Sequence, residues 1–280
     1  MNPENPSPVP QATHSGTSVR LMAHLVAGFP DLDVSRVVAD GLVDGGAEFL
    51  EVQFPYSDPT ADGPVIQAAC SSALNRGFRV DDGFELIADL AATYDTPIFV
   101  MSYGGVVFAR GINRFVADAR SAGAAGVIIP DLMPGYDEGL FGAGVDAGLA
   151  VVPVVAPSVS QTRLAEILDL KAPFLYAAIR TGITGVHTQI DASVALFLGS
   201  VRSPETTLIA GFGVSNRDQA RRLQRHADVL VVGSAFVSVV LDAIDTGADI
   251  RSAVASRARD LTSRTARTEK EETSDGRGNP

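Results

Sequence analysis

The sequence predicts a single (β/α)8 barrel, and three features lead there. Short apolar runs recur along the chain, segments with helical spacing fall between them, and the alternation holds over about 250 residues, the usual length of such a barrel. The runs are LMAHLVA (21–27), FLEVQF (49–54), IFVMSY (98–103), GVIIPD (126–131), AVVPVVA (150–156), FLYAAI (174–179), TLIAGFG (207–213) and DVLVVG (228–233). Each is short and rich in Val, Ile and Leu, as strands covered on both faces require. Between them, VSRVVADGLVDGGA (34–47), GFELIADLAATY (83–94), INRFVADARSAGA (112–124), RLAEILDLK (163–171) and NRDQARRLQRHA (216–227) place apolar residues at i, i+3 and i+4. An open doubly wound sheet uses the same alternation, but no GxGxxG follows the first run, which weighs against its dinucleotide-binding form. Residues 1–18 hold four prolines, and 266–280 are polar without periodicity. Both are expected to be disordered tails around a barrel spanning 19–265.

Composition narrows the function. The chain has 280 residues, 46% of them hydrophobic and 20% charged, enough to bury a large core. A formal net charge of −11 repels nucleic acid and anionic membrane, so neither is an expected partner. A small anionic substrate stays admissible, because local dipoles hold it. Cys70 is the only cysteine, which rules out an internal disulfide and fits a reducing compartment. No apolar run is long enough to span a bilayer, and MNPENPSPVPQATHSGTS lacks the basic and apolar regions of a signal peptide. A soluble, cytoplasmic protein is expected.

Parallel barrels carry their active sites at the carboxyl ends of the strands. Along the second run, side chains alternate, so Phe49, Glu51 and Gln53 share one face while Leu50, Val52 and Phe54 share the other. The wholly apolar set suits the outer helices, which turns Glu51 and Gln53 into the barrel. Burial there disfavours a charged carboxyl and is expected to raise its pKa, making Glu51 a candidate proton shuttle. The alternative is a Glu neutralised by an interior Lys or Arg, but no strand-like run contains either. The loop that follows, SDPTADGP (57–64), holds Asp58 and Asp62. Asp and Gly there also serve as ordinary turn residues, with Pro64 opening the helix VIQAACSSALNRG. Proximity to Glu51 assigns Asp62 to the site. The last two runs end in GFG (211–213) and GS (233–234), each just before a helix start. Free N–H groups at such starts bind anions, and barrels hold phosphate after their last two strands. With RTGITG (180–185) as a third glycine loop, a phosphorylated small substrate is expected.

These residues resemble a known family. EVQFPYSDPTADGPVIQAA is similar to the signature of the tryptophan synthase α subunit, E-[LIV]-G-[LIV]-P-[FY]-S-D-P-x-A-D-G-P-x-I-Q. IIPDLMP, RTGITG, AGFGVS and VVGSA follow in the family's order, so the likeness covers about residues 21 to 245. The resemblance implies a barrel that cleaves indole-3-glycerol phosphate into indole and glyceraldehyde 3-phosphate, with no cofactor and no metal. It also implies a β subunit that receives the indole in an αββα heterotetramer. By the same resemblance Glu51 protonates indole C3 and takes the glycerol hydroxyl proton, Asp62 binds the indole N–H, and Tyr176 lies near the glutamate. Gly185, Gly213, Gly233 and Ser234 match phosphate-binding positions, and Arg180 and Thr184 match a mobile loop. His24, Met101, Tyr103, Ile128 and Phe212 match the indole pocket, and Asp58 the partner interface.

Several positions depart from the family pattern. Gln53 replaces a usual Gly, Thr60 a frequent Leu, and Ile179 the Ser before the loop arginine. His24 stands where an apolar aromatic is expected and reads as a hydrogen-bonded wall residue. Gly104 and Gly105 follow Tyr103 where an Asn is usual, and no leading helix is patterned in the Pro-rich first 18 residues. Two other functions remain in view: a stand-alone lyase releasing free indole for specialised metabolism, and a non-catalytic phosphate-binding barrel that regulates a partner. Retention of Glu51 and Asp62 weighs against the second.

Overall fold

Strands rich in Val, Ile and Leu are stable only with both faces covered, and the computed structural model gathers all of them into one parallel sheet. It describes residues 20–179, 191–211, 213–214 and 216–262. The strands are β1 (Leu21–Val26), β2 (Phe49–Gln53), β3 (Ile98–Met101), β4 (Gly126–Ile128), β5 (Ala150–Val152), β6 (Val154–Val155), β7 (Phe174–Ala178), β8 (Thr207–Gly211) and β9 (Val229–Val232). Their order is β5-β4-β3-β2-β1-β9-β8-β7-β6.

The fifth predicted run is therefore two short strands rather than one. Pro153 separates them because it has no N–H to give to a ladder. β5 pairs with β4 on one side, β6 pairs with β7 on the other, and the Pro153 carbonyl accepts from the Tyr176 N–H at 2.8 Å. The two ends of the sheet are thus halves of one bent segment. The barrel closes through the chain itself, which excludes the open doubly wound alternative.

The helices are α1 (Leu32–Asp44), α2 (Pro64–Asn75), α3 (Val80–Thr93), α4 (Gly104–Arg110), α5 (Ile112–Ser121), α6 (Leu140–Ala147), α7 (Gln161–Asp169), α8 (Ala192–Ser200), α9 (Arg217–Leu223), α10 (Ser234–Thr246) and α11 (Ile250–Thr262). The five periodic segments appear as α1, α3, α5, α7 and α9, and Pro64 does open α2. Among the described residues no helix is long and apolar enough to cross a membrane. The predicted tails, and any leading helix within residues 1–18, lie outside the described residues.

Two apolar layers follow from the strand alternation. Leu50, Val52 and Phe54 pack outward against the helices, while Met22, Phe49, Phe99, Phe174, Ile209 and Val229 fill the barrel. Three of the inner residues form an aromatic plug, with ring centroids 6.2 Å apart for Phe49–Phe99, 6.4 Å for Phe49–Phe174 and 5.1 Å for Phe99–Phe174. The guanidinium of Arg20 lies 5.0 Å from the Phe49 ring centre at the amino-terminal end of the strands. That plug is the floor on which the site is built.

Candidate active site

Two residues along each strand from the plug, the inward side chains belong to a cavity instead. Met22 gives way to His24, Phe49 to Glu51, Phe99 to Met101, Val152 to Val154, Phe174 to Tyr176 and Val229 to Val231, and each of these successors lines the same space. Ile128, Pro130, Asp62, Ile66, Gly213, Val214, Gly233 and Ser234 complete the lining. The empty volume is about 530 Å³, solvent at the mouth included, at the carboxyl ends of the strands. Apolar walls with a few convergent polar groups are the usual make-up of a small-molecule site.

Both predicted acids are in it and both are buried. Glu51 pairs in register with His24 across the β1–β2 ladder, and His24 Nδ1 lies 2.7 Å from Glu51 Oε2. The partner of the buried Glu is thus a histidine, not the Lys or Arg of the alternative reading. Asp62 receives the Gln53 Nε2–H at 2.7 Å and the Tyr103 hydroxyl at 2.8 Å, both on Oδ2. Its own carbonyl accepts from Gln67 Nε2 at 2.8 Å, which fixes the loop to the first turn of α2. Burial pushes the Asp62 carboxyl above the usual aspartate range, and the bonds from Gln53 and Tyr103 pull the other way. Glu51 Oε1 and Asp62 Oδ1 accept from no described residue. Among the described residues, then, each acid is anchored through one oxygen and unengaged at the other.

Tyr176 is buried in the cavity wall. Burial holds its pKa well above the ordinary tyrosine value, and negative charge on either neighbouring acid raises it further, so it stays a neutral phenol. Cys70 packs beneath the site, 3.5 Å from Gln53 Nε2, and burial pushes its thiol up to about 12, which leaves it unreactive.

Across the cavity, α10 begins at Ser234 with Gly233 as a cap that offers no side-chain acceptor. The Phe236 N–H donates to the Gly233 carbonyl at 2.9 Å, while the Ser234 and Ala235 N–H groups at the start of this 13-residue helix have no partner among the described residues and are available to an anion. At α9, by contrast, Asn216 already caps the first turn by accepting from Gln219 N–H at 3.0 Å. Gly213 lies in the same lining with φ +100°, a conformation that favours glycine.

Of the residues singled out from the sequence, His24, Glu51, Asp62, Met101, Ile128, Tyr176, Gly213, Gly233 and Ser234 meet around this one space. Tyr103 stands behind Asp62 rather than in the lining, stacked on Tyr56 at 5.4 Å between ring centres. A Cβ at Gly105 would come within 2.6 Å of the Tyr56 hydroxyl, so that departure makes room for the stack. Asp58 and Thr60 are exposed at the mouth. Arg180, Thr184, Gly185 and Phe212 lie outside the described residues. Sequence reasoning missed Ile66, Pro130, Val154, Val214 and Val231. For Val154 and Val231 the two-residue alternation carried the signal.

The chain is similar to known proteins over nearly its whole length. The profile of the family described as Tryptophan synthase alpha chain matches residues 11–266. The tryptophan synthase alpha chain of Streptomyces coelicolor is 39% identical over 241 residues, covering 85% of this chain and 89% of that relative. That of Leifsonia xyli subsp. xyli is 38% identical over 221 residues, covering 79% and 85%. Among solved structures, a tryptophan synthase of Mycobacterium tuberculosis matches with a TM-score of 0.78 at 32% identity, covering 88% of this chain and 91% of that one. A tryptophan synthase complex from Pyrococcus furiosus matches with a TM-score of 0.76 at 27% identity, covering 86% and 97%.

Proposed function

The chain belongs to the tryptophan synthase alpha chain family, and from that premise we propose that it cleaves indole-3-glycerol phosphate by a retro-aldol reaction to indole and D-glyceraldehyde 3-phosphate. One observation carries the reading. Glu51 and Asp62 are buried in one cavity, each anchored through one oxygen while the other accepts from no described residue.

The reaction needs no net proton change at the enzyme. Glu51 starts protonated and gives its proton to indole C3, which makes that carbon tetrahedral and puts positive charge on N1. The Asp62 carboxylate accepts the N1–H and steadies that charge. Glu51, now ionised, takes the proton of the glycerol hydroxyl. The carbonyl of the aldehyde forms, the C–C bond breaks, its electrons restore the indole ring, and Glu51 is protonated again. Met101, Ile128, Val154 and Val231 supply apolar walls for the bicyclic ring. The α10 start at Gly233 and Ser234, with Gly213 beside it, is the phosphate end.

A β subunit is the proposed partner, in an αββα arrangement in the cytoplasm, with residues 19–265 as the catalytic unit. Support comes from apolar side chains exposed on segments that follow β3 and β4: Phe108 (46% exposed), Met133 (41%) and Tyr136 (77%), at the same end of the barrel as the exposed Asp58. Incubation with indole-3-glycerol phosphate, with and without a β subunit, tests both parts. Release of indole that rises strongly on adding the partner is expected. No indole in either arm refutes the lyase reading, and high unaided turnover without complex formation refutes the subunit reading.

A further inference from the structure

We propose that His24 is a positioning residue for this reaction: its Nδ1–H holds Glu51 Oε2 and so reserves Oε1 for proton exchange with the substrate. The proposal rests on the lyase reading above. It starts from a buried contact in the cavity wall, with His24 and Glu51 side chains 4% and 5% exposed and Nδ1 2.7 Å from Oε2. Among the described residues His24 gives the Glu51 carboxyl its one side-chain hydrogen bond.

The tautomer follows from what surrounds the ring. His24 Nε2 is buried and has no hydrogen-bond partner among the described residues. A hydrogen placed there would be an orphaned buried donor, whereas a bare lone pair costs less. With hydrogen on Nδ1 alone, the donor meets the carboxylate and Nε2 carries only the lone pair. The ring is also held in place. A Cβ built on Gly233 would lie 3.4 Å from His24 Cγ and Cδ2, so the imidazole lies against the backbone at the start of α10.

A carboxyl group that must give and then take a proton has two equivalent oxygens, and only the one facing the substrate is useful. A donor fixed on Oε2 makes that oxygen the acceptor in both states. It bonds to the carboxylate strongly and to the neutral acid through the carbonyl oxygen. The mobile proton then resides on Oε1, moves from there to indole C3, and is replaced from the glycerol hydroxyl. The Nδ1 proton is never transferred, so His24 is not a relay. Gln53 and Tyr103 anchor Asp62 through one oxygen in the same manner.

The test compares His24→Leu, which keeps bulk without a donor, with His24→Asn, whose amide N–H₂ stands near the place of Nδ1. The leucine variant is expected to lose about ten- to a hundredfold in kcat, the scale of one hydrogen bond to a charged group, while KM for the phosphorylated substrate stays near that of the parent. The asparagine variant is expected to recover most of the loss. Equal kcat values for the two variants, or a raised KM with unchanged kcat, would reduce His24 to a wall residue. Imidazole nitrogen NMR of the unaltered chain gives a readout independent of turnover: an unprotonated Nε2 supports the proposal and a protonated Nε2 overturns it. If the parent itself releases no indole, the lyase reading fails. If the parent is active and the variants do not separate, only the His24 proposal fails.

Discussion

The hydroxyl of Tyr176 fills the space where a side chain at Gly211 would begin: Tyr176 on β7 is in register with Ile209 on β8, and its ring reaches two positions further along β8, to the glycine opposite Ala178. The contact is not confined to the hydroxyl, since a Cβ at Gly211 would also stand 2.6 Å from Tyr176 Cζ. Tyr176 is enclosed and has nowhere to retreat except into the cavity.

Gly211→Ala is therefore expected to cost about 1–3 kcal/mol of stability, the range of overpacking, and to lower turnover by pushing the ring towards the ligand space. Adding Tyr176→Phe in that background removes the oxygen but not Cζ, so recovery is expected to be partial. Chemical denaturation of the single and double variants checks this. A wild-type midpoint for Gly211→Ala would mean the strands part freely here.

The raised Asp62 pKa makes a prediction about pH. An ordinary aspartate titrates at 3.8, and burial lifts Asp62 above that in the folded chain. Between 3.8 and the folded value the native state holds a proton that the unfolded state has lost, so Asp62 makes stability fall as pH rises through that window. Asp62→Asn cannot ionise, so its stability relative to the parent is expected to improve across the window and level off above it. Urea unfolding at a series of pH values measures the difference. A gap that does not change with pH would show that burial leaves this carboxyl at its ordinary value.

How much of this was legible in advance depended on range. The alternation of Phe49, Glu51 and Gln53 is local, so the inward face of β2 was readable and held. The partner of Glu51 was not, because it comes from β1 through a parallel ladder whose register no short window contains. Helix α4 fails for a related reason. GGVVFAR is a poor helix start by propensity, yet the Gly104 N–H is capped by Asp131 at 2.9 Å from a loop 27 positions away. Helix α11 lies against α1 because Gly41 has no side chain: a Cβ there would meet the Arg251 carbonyl at 2.7 Å. Pro153 was visible in the sequence, but a proline inside an apolar run does not say that the strand changes partners there.

Glu51→Gln isolates the proton chemistry. The amide keeps a carbonyl that accepts from His24 and keeps the shape of the wall, but it neither gives nor takes a proton. Turnover is expected to fall by about 10²-fold or more, with KM changed by no more than a few-fold. Indole release under saturating substrate checks it. Near-normal turnover would remove Glu51 from the reaction.

The phosphate end separates binding from folding at two glycines. At Gly233 a Cβ would meet His24 and Ile66 at 3.4 Å, an ordinary contact, so Gly233→Ala is expected to fold with little loss of stability. Gly233→Val projects further into the space before α10 and is expected to raise KM for the phosphorylated substrate about tenfold or more, roughly 1.4 kcal/mol of binding. At Gly213 any side chain strains a backbone at φ +100°, so substitution there is expected to lower stability by about 1–3 kcal/mol as well as raise KM. Steady-state kinetics beside thermal unfolding distinguishes the two sites. An unchanged KM for Gly233→Val, with the fold intact, would move the phosphate away from the start of α10 and leave Gly213 as an ordinary turn glycine.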